Sequence, residues 1–169
     1  MDADRAQPDA NPVEQQPSET PPSGLVRRVV AFDVGDRRIG VAVSDPLGYT
    51  AQPLFTLHRT NHRADMKSIA RLLRKHGVAE AVVGNPLHMS GDQSPQAAKA
   101  QQFAEELRAQ FGLVVHLWDE RLTTTEAHRH LDAGGHAAGR ERSQIIDQVA
   151  AVLILQSFLD ARANRTAQE

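Results

Sequence analysis

The sequence predicts an α/β domain built on a mixed five-stranded sheet, with an antiparallel three-strand meander at one end, parallel strands beyond it and flanking helices. Three observations predict it. An unbroken apolar run, Val29 to Phe32, and an alternating one, Ile39, Val41 and Val43, are separated by a short glycine-bearing turn. Later strand-like runs alternate with helical periods, so each strand is reached by a crossover that leaves it parallel to its neighbour. A chain of 169 residues with 40% hydrophobic content suffices for one packed core and is short for two.

The elements follow in order. Residues 1–24 hold five of the nine prolines and five acids against one base, with little apolar beyond Val13 and a few alanines. Such a segment buries too little surface to offset the entropy of ordering it, so an acidic, disordered tail is expected there. Residues 25–162 form the expected domain and 163–169 a short frayed end. Within the domain, strands are expected at 28–33 and 38–44, joined across Gly35 as a hairpin, with a third at 52–58. A helix over 63–76 places Ile69, Leu72 and Leu73 on one face and Arg71, Arg74 and Lys75 on the other, with Gly77 as its C-cap. A strand at 79–83 runs into Gly84-Asn85-Pro86, and a helix at 95–111 keeps Ala100, Phe103, Ala104, Leu107 and Phe111 in register. A strand at 113–118, a short helix at 123–131, a glycine-rich loop at 132–139 and an apolar helix at 143–161 complete the chain.

Composition removes several chemistries. The chain has no cysteine, which excludes disulfides, thiolate metal sites and cysteine nucleophiles, so any metal must be held by oxygen or imidazole. There is no signal-like start, and no unbroken apolar run approaches the ~18 residues of a membrane span, so a soluble, cytoplasmic protein without a membrane partner is expected. The net charge is -2, but the tail carries the acidity: residues 25–169 hold 18 bases against 16 acids. That balance permits a phosphate-rich partner without requiring one.

Acids recur next to strand ends. Asp33 follows the first apolar run, Glu120 follows the run ending at Trp118, and Asp147 lies near the start of the last helix. In open sheets, ligands gather beyond the carboxyl ends of parallel strands, so the three acids are expected to converge there. Clustered carboxylates repel one another and are stable chiefly around a hard dication, which favours Mg2+ or Mn2+. Taken singly, Asp33 also reads as a turn acceptor, Glu120 as half of a surface pair with Arg121, and Asp147 as a carboxylate near a helix N-terminus.

The motif series Ala31-Phe32-Asp33-Val34-Gly35, Arg38-Ile39-Gly40-Val41-Ala42, Val83-Gly84-Asn85-Pro86-Leu87, Asp119-Glu120-Arg121-Leu122-Thr123-Thr124 and Asp147-Gln148-Val149-Ala150-Ala151 resembles that of the YqgF family, also called RuvX. The resemblance spans about residues 26–162, in order and spacing. It implies an RNase H-like nuclease, distantly related to the Holliday-junction resolvase RuvC, that processes the 5′ end of pre-16S ribosomal RNA. It also places the family's catalytic and metal-binding acids on Asp33, Glu120 and Asp147. The alternative substrate is a four-way DNA junction, whose symmetric resolution calls for a homodimer.

Four cations are candidates for phosphate: Arg37 and Arg38 in the hairpin, Arg121 beside Glu120, and Lys99 in the first turns of the second helix. Each also reads as a solvated surface charge. Glu126, His128 and His130 offer a weaker metal site, His116 reads as a strand residue, and Trp118 as core. Two rival functions are weaker. An ATPase of the actin-like type would need a second such domain and its phosphate loop; a binding module that has lost catalysis is opposed by the complete acid set.

Overall fold

The structure, a computed structural model, describes residues 27–122 and 139–169. Five strands are present: β1 (Arg28–Val34), β2 (Arg38–Ser44), β3 (Ala51–His58), β4 (Val78–Asn85) and β5 (Val114–Asp119). Among the described residues three helices accompany them, α1 (His62–His76), α2 (Pro95–Phe111) and α3 (Arg140–Thr166), with one 3-10 turn at Glu120–Leu122. The sheet order is β3-β2-β1-β4-β5. Antiparallel pairing joins β1 to β2 and β2 to β3, whereas β4 lies parallel to β1 and β5 parallel to β4. The expected meander and the expected parallel extension are both there.

Local chemistry accounts for the boundaries. The hairpin closes where Gly35 N–H donates to the Arg38 carbonyl at 2.8 Å. Pro53 sits in β3, an edge strand, where a residue without an N–H donor leaves no inner ladder broken. Asn61 and Ser94 cap α1 and α2, each side chain accepting from a backbone N–H three residues on, and Pro95 opens α2 where its missing donor costs nothing. Gly77 and Gly112 end those helices with φ of 60° and 62°, a left-handed geometry that favours glycine.

Strand alternation divides the core in two. Val30 and Phe32 of β1 face α1 and α2, packing with Ile39, Val41, Met66, Ile69, Leu72, Phe103 and Leu107. Val29 and Ala31 point the other way, with Ala42 and Val82, against Ala151, Ile154, Leu155, Phe158 and Leu159 of α3. Burying a side chain such as Phe32 or Ile154 contributes about 1.5–3 kcal/mol. By the same period of two, Asp33, Gly40 and Gly84 fall on the α3 face.

The last helix departs from expectation. It begins at Arg140 and runs to Thr166, longer than 143–161 and through most of the end expected to fray. It also contains an 18-residue stretch long and apolar enough, by composition, to cross a membrane, although no unbroken apolar run was evident. Gln148, Gln156 and Ser157 interrupt the run without making the helix polar. In the structure one side of α3 lies on the sheet, and Gln156 ties it to β3 by accepting from Ala51 N–H at 2.9 Å. The short helix expected at 123–131 and most of the glycine-rich loop lie outside the described residues.

At the far end of α3, Glu80 of β4 receives hydrogen bonds from Arg162 and from His116 of β5. Burial pushes the Glu80 carboxyl up, but these bonds and charges outweigh it and hold the carboxyl below its usual value of 4.5. A depressed carboxylate stabilises the fold fully above the unfolded value, and the contribution fades as pH falls through the folded one. Glu80→Gln is therefore expected to cost about 1 kcal/mol at pH 7, after allowance for solvent screening. Urea melts of both proteins should converge at a pH below 4.5.

Candidate active site

Three elements bring the acids to one end of the sheet. Asp33 stands near the carboxyl end of β1, directly across from Gly40 of β2. Glu120 follows β5 at once, in the 3-10 turn, and β5 runs parallel to β4 with Trp118 opposite Gly84. Asp147 lies early in α3, which passes over β2.

Two glycines allow that approach. A Cβ at Gly40 would stand 2.0 Å from the Asp147 carbonyl oxygen, so α3 can come this close only over a residue with no side chain. A Cβ at Gly84 would stand 2.4 Å from Glu120 Oε1 and 2.7 Å from Ile154 Cδ1. The Glu120 carboxylate thus lies over the end of β4, in space a side chain would fill. Both glycines occur in the motif series, but their contacts join residues far apart in the chain and no local pattern reveals them.

The carboxylates sense one another. Burial, and then the charge of Asp147, push Asp33 from its usual 3.8 up to about 6. Burial, then Asp33 and Asp119, push Glu120 from 4.5 up to about 7. Asp33 therefore stands between the other two electrostatically. Asp147 is met instead by Arg38, whose Nε donates to Oδ2 at 2.7 Å. Among the described residues, no group of three or more acid or imidazole side chains is gathered closely enough to hold a metal ion as it stands.

The expected phosphate-binding cations fare differently. Arg37 is exposed at the hairpin tip and has no carboxylate partner among the described residues. Arg38 holds Asp147, as above. Lys99 reaches Asp36 at 2.5 Å, and this hydrogen bond, first among the causes, holds the Asp36 carboxyl below its usual value. Arg121 turns back onto Asp119, its Nε 2.9 Å from both carboxylate oxygens, and depresses that carboxyl in the same way. Its Nη1 also donates to the Met89 carbonyl at 3.4 Å, tying the turn after β5 to the loop after β4. Three of the four cations thus sit on acids of this chain.

Trp118 packs edge-on against Phe158 with 5.5 Å between ring centroids and donates to Ser157 Oγ, in keeping with a core role. His116 lies on β5 beside Glu80. Glu126, His128 and His130 fall outside the described residues.

Residues 27–161 match the family described as RuvX, Holliday junction resolvase. The chain belongs to the RuvX family. It is 50% identical over 133 residues to a protein of Moorella thermoacetica named as a candidate pre-16S rRNA nuclease, covering 79% of this chain and 94% of that protein. A protein of Koribacter versatilis with the same name is 46% identical over 141 residues, 83% of this chain and 92% of its own length. Among solved structures, Fowlpox virus resolvase in complex with its Holliday junction substrate covers 80% of this chain and 98% of its own, with a TM-score of 0.50 at 11% identity. That likeness concerns the fold, which is RNase H-like, with the expected mixed five-stranded sheet between helices.

The two glycines should separate stability from placement. Gly84→Ala presses on the ends of two flexible side chains and is expected to leave thermal stability nearly unchanged while displacing Glu120. Gly40→Ala presses on helix backbone and is expected to destabilise by about 1–3 kcal/mol. Melting curves of the two variants that fail to rank in this order would contradict the close passage of α3 over β2.

Proposed function

We propose that this RuvX-family protein is a cytoplasmic endonuclease that hydrolyses phosphodiesters with Mg2+ or Mn2+ held by Asp33, Glu120 and Asp147. Its substrate in this reading is the 5′ region of pre-16S ribosomal RNA. The observation that carries the reading is that partly buried carboxylates stand close enough to act on one another: burial, then Asp147, push Asp33 up to about 6, and burial, then Asp33 and Asp119, push Glu120 up to about 7. Such a group costs stability unless a cation offsets it, and sites with strongly perturbed carboxylates are often functional.

The donor set fits a hard dication: all three groups are carboxylates, and the chain offers no thiolate. Bound there, such an ion would stabilise charge developing at phosphorus and lower the pKa of a water. The chain's own residues supply the setting. Gly84 lets Glu120 lie against the strand end, Gly40 lets α3 bring Asp147 down, and Asp33 is coupled by charge to both. Arg37, exposed beside this end of the sheet, is suited to a substrate phosphate. Hydrolysis adds a water oxygen to phosphorus and releases one bridging sugar oxygen, so an RNA or a DNA backbone suits the same groups. The names carried by relatives at 46–50% identity favour the ribosomal precursor.

A second reading, cleavage of a four-way DNA junction, is favoured by the description of the family itself. It requires two sites facing opposed strands, hence a homodimer. Cleavage assays on an RNA spanning the precursor's 5′ end and on a four-way junction, run with molecular mass in solution, separate the two. RNA cleavage is expected; cutting confined to the junction, by a dimer, would replace the first reading with the second.

Asp33→Asn is expected to lower metal-dependent cleavage by about 10²-fold or more. The same change should raise the melting temperature of the metal-free protein, because it removes a buried charge beside Asp147. Equal cleavage by variant and wild type would assign the activity to a contaminant, and a non-catalytic binding module would remain.

A further inference from the structure

Arg38 stands at the head of β2, on the same strand face as Gly40. Its guanidinium joins Asp147 across 109 residues of sequence, with side chains 35% and 19% exposed. Gly40 lets the backbone at Asp147 come down onto β2, and Arg38 fixes the carboxylate from the same strand. One strand therefore sets both the height of α3 and the direction of its acid.

The contact is more than one surface pair among several. Lys99 is engaged by the exposed Asp36 and Arg121 by the half-buried Asp119, both beside the site. Of the three, Arg38 is the one bound to a member of the proposed ligand set, Asp147, whose charge acts on Asp33. It uses Oδ2 alone, and among the described contacts Oδ1 of Asp147 accepts no hydrogen bond. A carboxylate held through one oxygen by a guanidinium presents the other in a defined direction, as groups behind a metal's ligands commonly do.

We propose that Arg38 is a positioning residue that counter-charges the carboxylate group in the ion-free protein, holding Asp147 beside Asp33 with one oxygen left for a divalent cation. This rests on the metal-dependent reading above and deepens it. It also differs from the expectation that Arg38 meets substrate phosphate. A phosphate contact affects substrate binding alone, whereas a counter-charge affects the protein's response to the ion with no nucleic acid present.

The test uses the full chain without nucleic acid: wild type, Arg38→Gln and Arg38→Lys, melted with and without MnCl2 or MgCl2. Without ion, Arg38→Gln is expected to melt roughly 5 °C below wild type, since the acids lose their organic cation. Saturating ion should shrink that gap to less than half, because the metal then supplies the charge and stabilises by mass action. Arg38→Lys, which keeps the charge without the planar fork, should fall between the two. A gap equally wide with and without ion, in a protein whose wild type responds to it, makes Arg38 merely structural and overturns the inference alone. Unchanged melting of Arg38→Gln without ion overturns it too, and a raised KM in a separate cleavage assay with nucleic acid would then return Arg38 to a phosphate contact. A wild type whose melting ignores both ions removes the metal reading itself, and this inference with it.

Discussion

The passage of α3 over Gly40 is the contact on which this end of the molecule depends. Helix and sheet normally keep about 10 Å between their axes because side chains intervene. Here a missing Cβ lets the carbonyl of Asp147 occupy the place a side chain would take. The approach brings Asp147 near enough to Asp33 for its charge to raise that carboxyl. It also brings Asp147 within reach of Arg38. Gly84 makes a similar allowance for Glu120 on the neighbouring strand. Space left by two glycines is thus converted into a convergence of charge.

That convergence opposes stability locally. Two acids displaced toward neutral pKa values show that burial and like charge outweigh what the surrounding groups return. The rest of the domain is ordinary by comparison: two apolar layers, capped helices, and no buried side-chain polar atom without a partner among the described residues. A fold consistent almost everywhere, with its conflict confined to one cluster, is the expected pattern of a scaffold that carries a site.

Much of this was legible before any coordinates. The unbroken apolar run Val29 to Phe32 identified a buried strand, and Gly35 marked the hairpin. Gly77 marked the end of α1 because a left-handed residue there favours glycine. The ends of α3 were not legible. Gly139 precedes it with no capping side-chain bond, so no Ser, Thr, Asp or Asn signalled Arg140 as its beginning. The long-range roles of Gly40 and Gly84 were equally hidden, since a glycine in a strand looks the same whether it faces solvent or a helix.

By itself the sequence determined the order of the described elements, the buried character of β1 and the presence of three acids next to strand ends or a helix start. Those are local properties, written in periods of two and 3.6 and in the residues that stop them. Only the tertiary structure decided which charge meets which. Arg38, Lys99 and Arg121 are all basic residues near acids in a plausible site, yet one holds Asp147 while the others hold Asp36 and Asp119. Arg121 pairs locally, two residues from Asp119, but the pairs of Arg38 and Lys99 span 109 and 63 residues, and their separations of a few ångströms exist only after β2, α2 and α3 have packed.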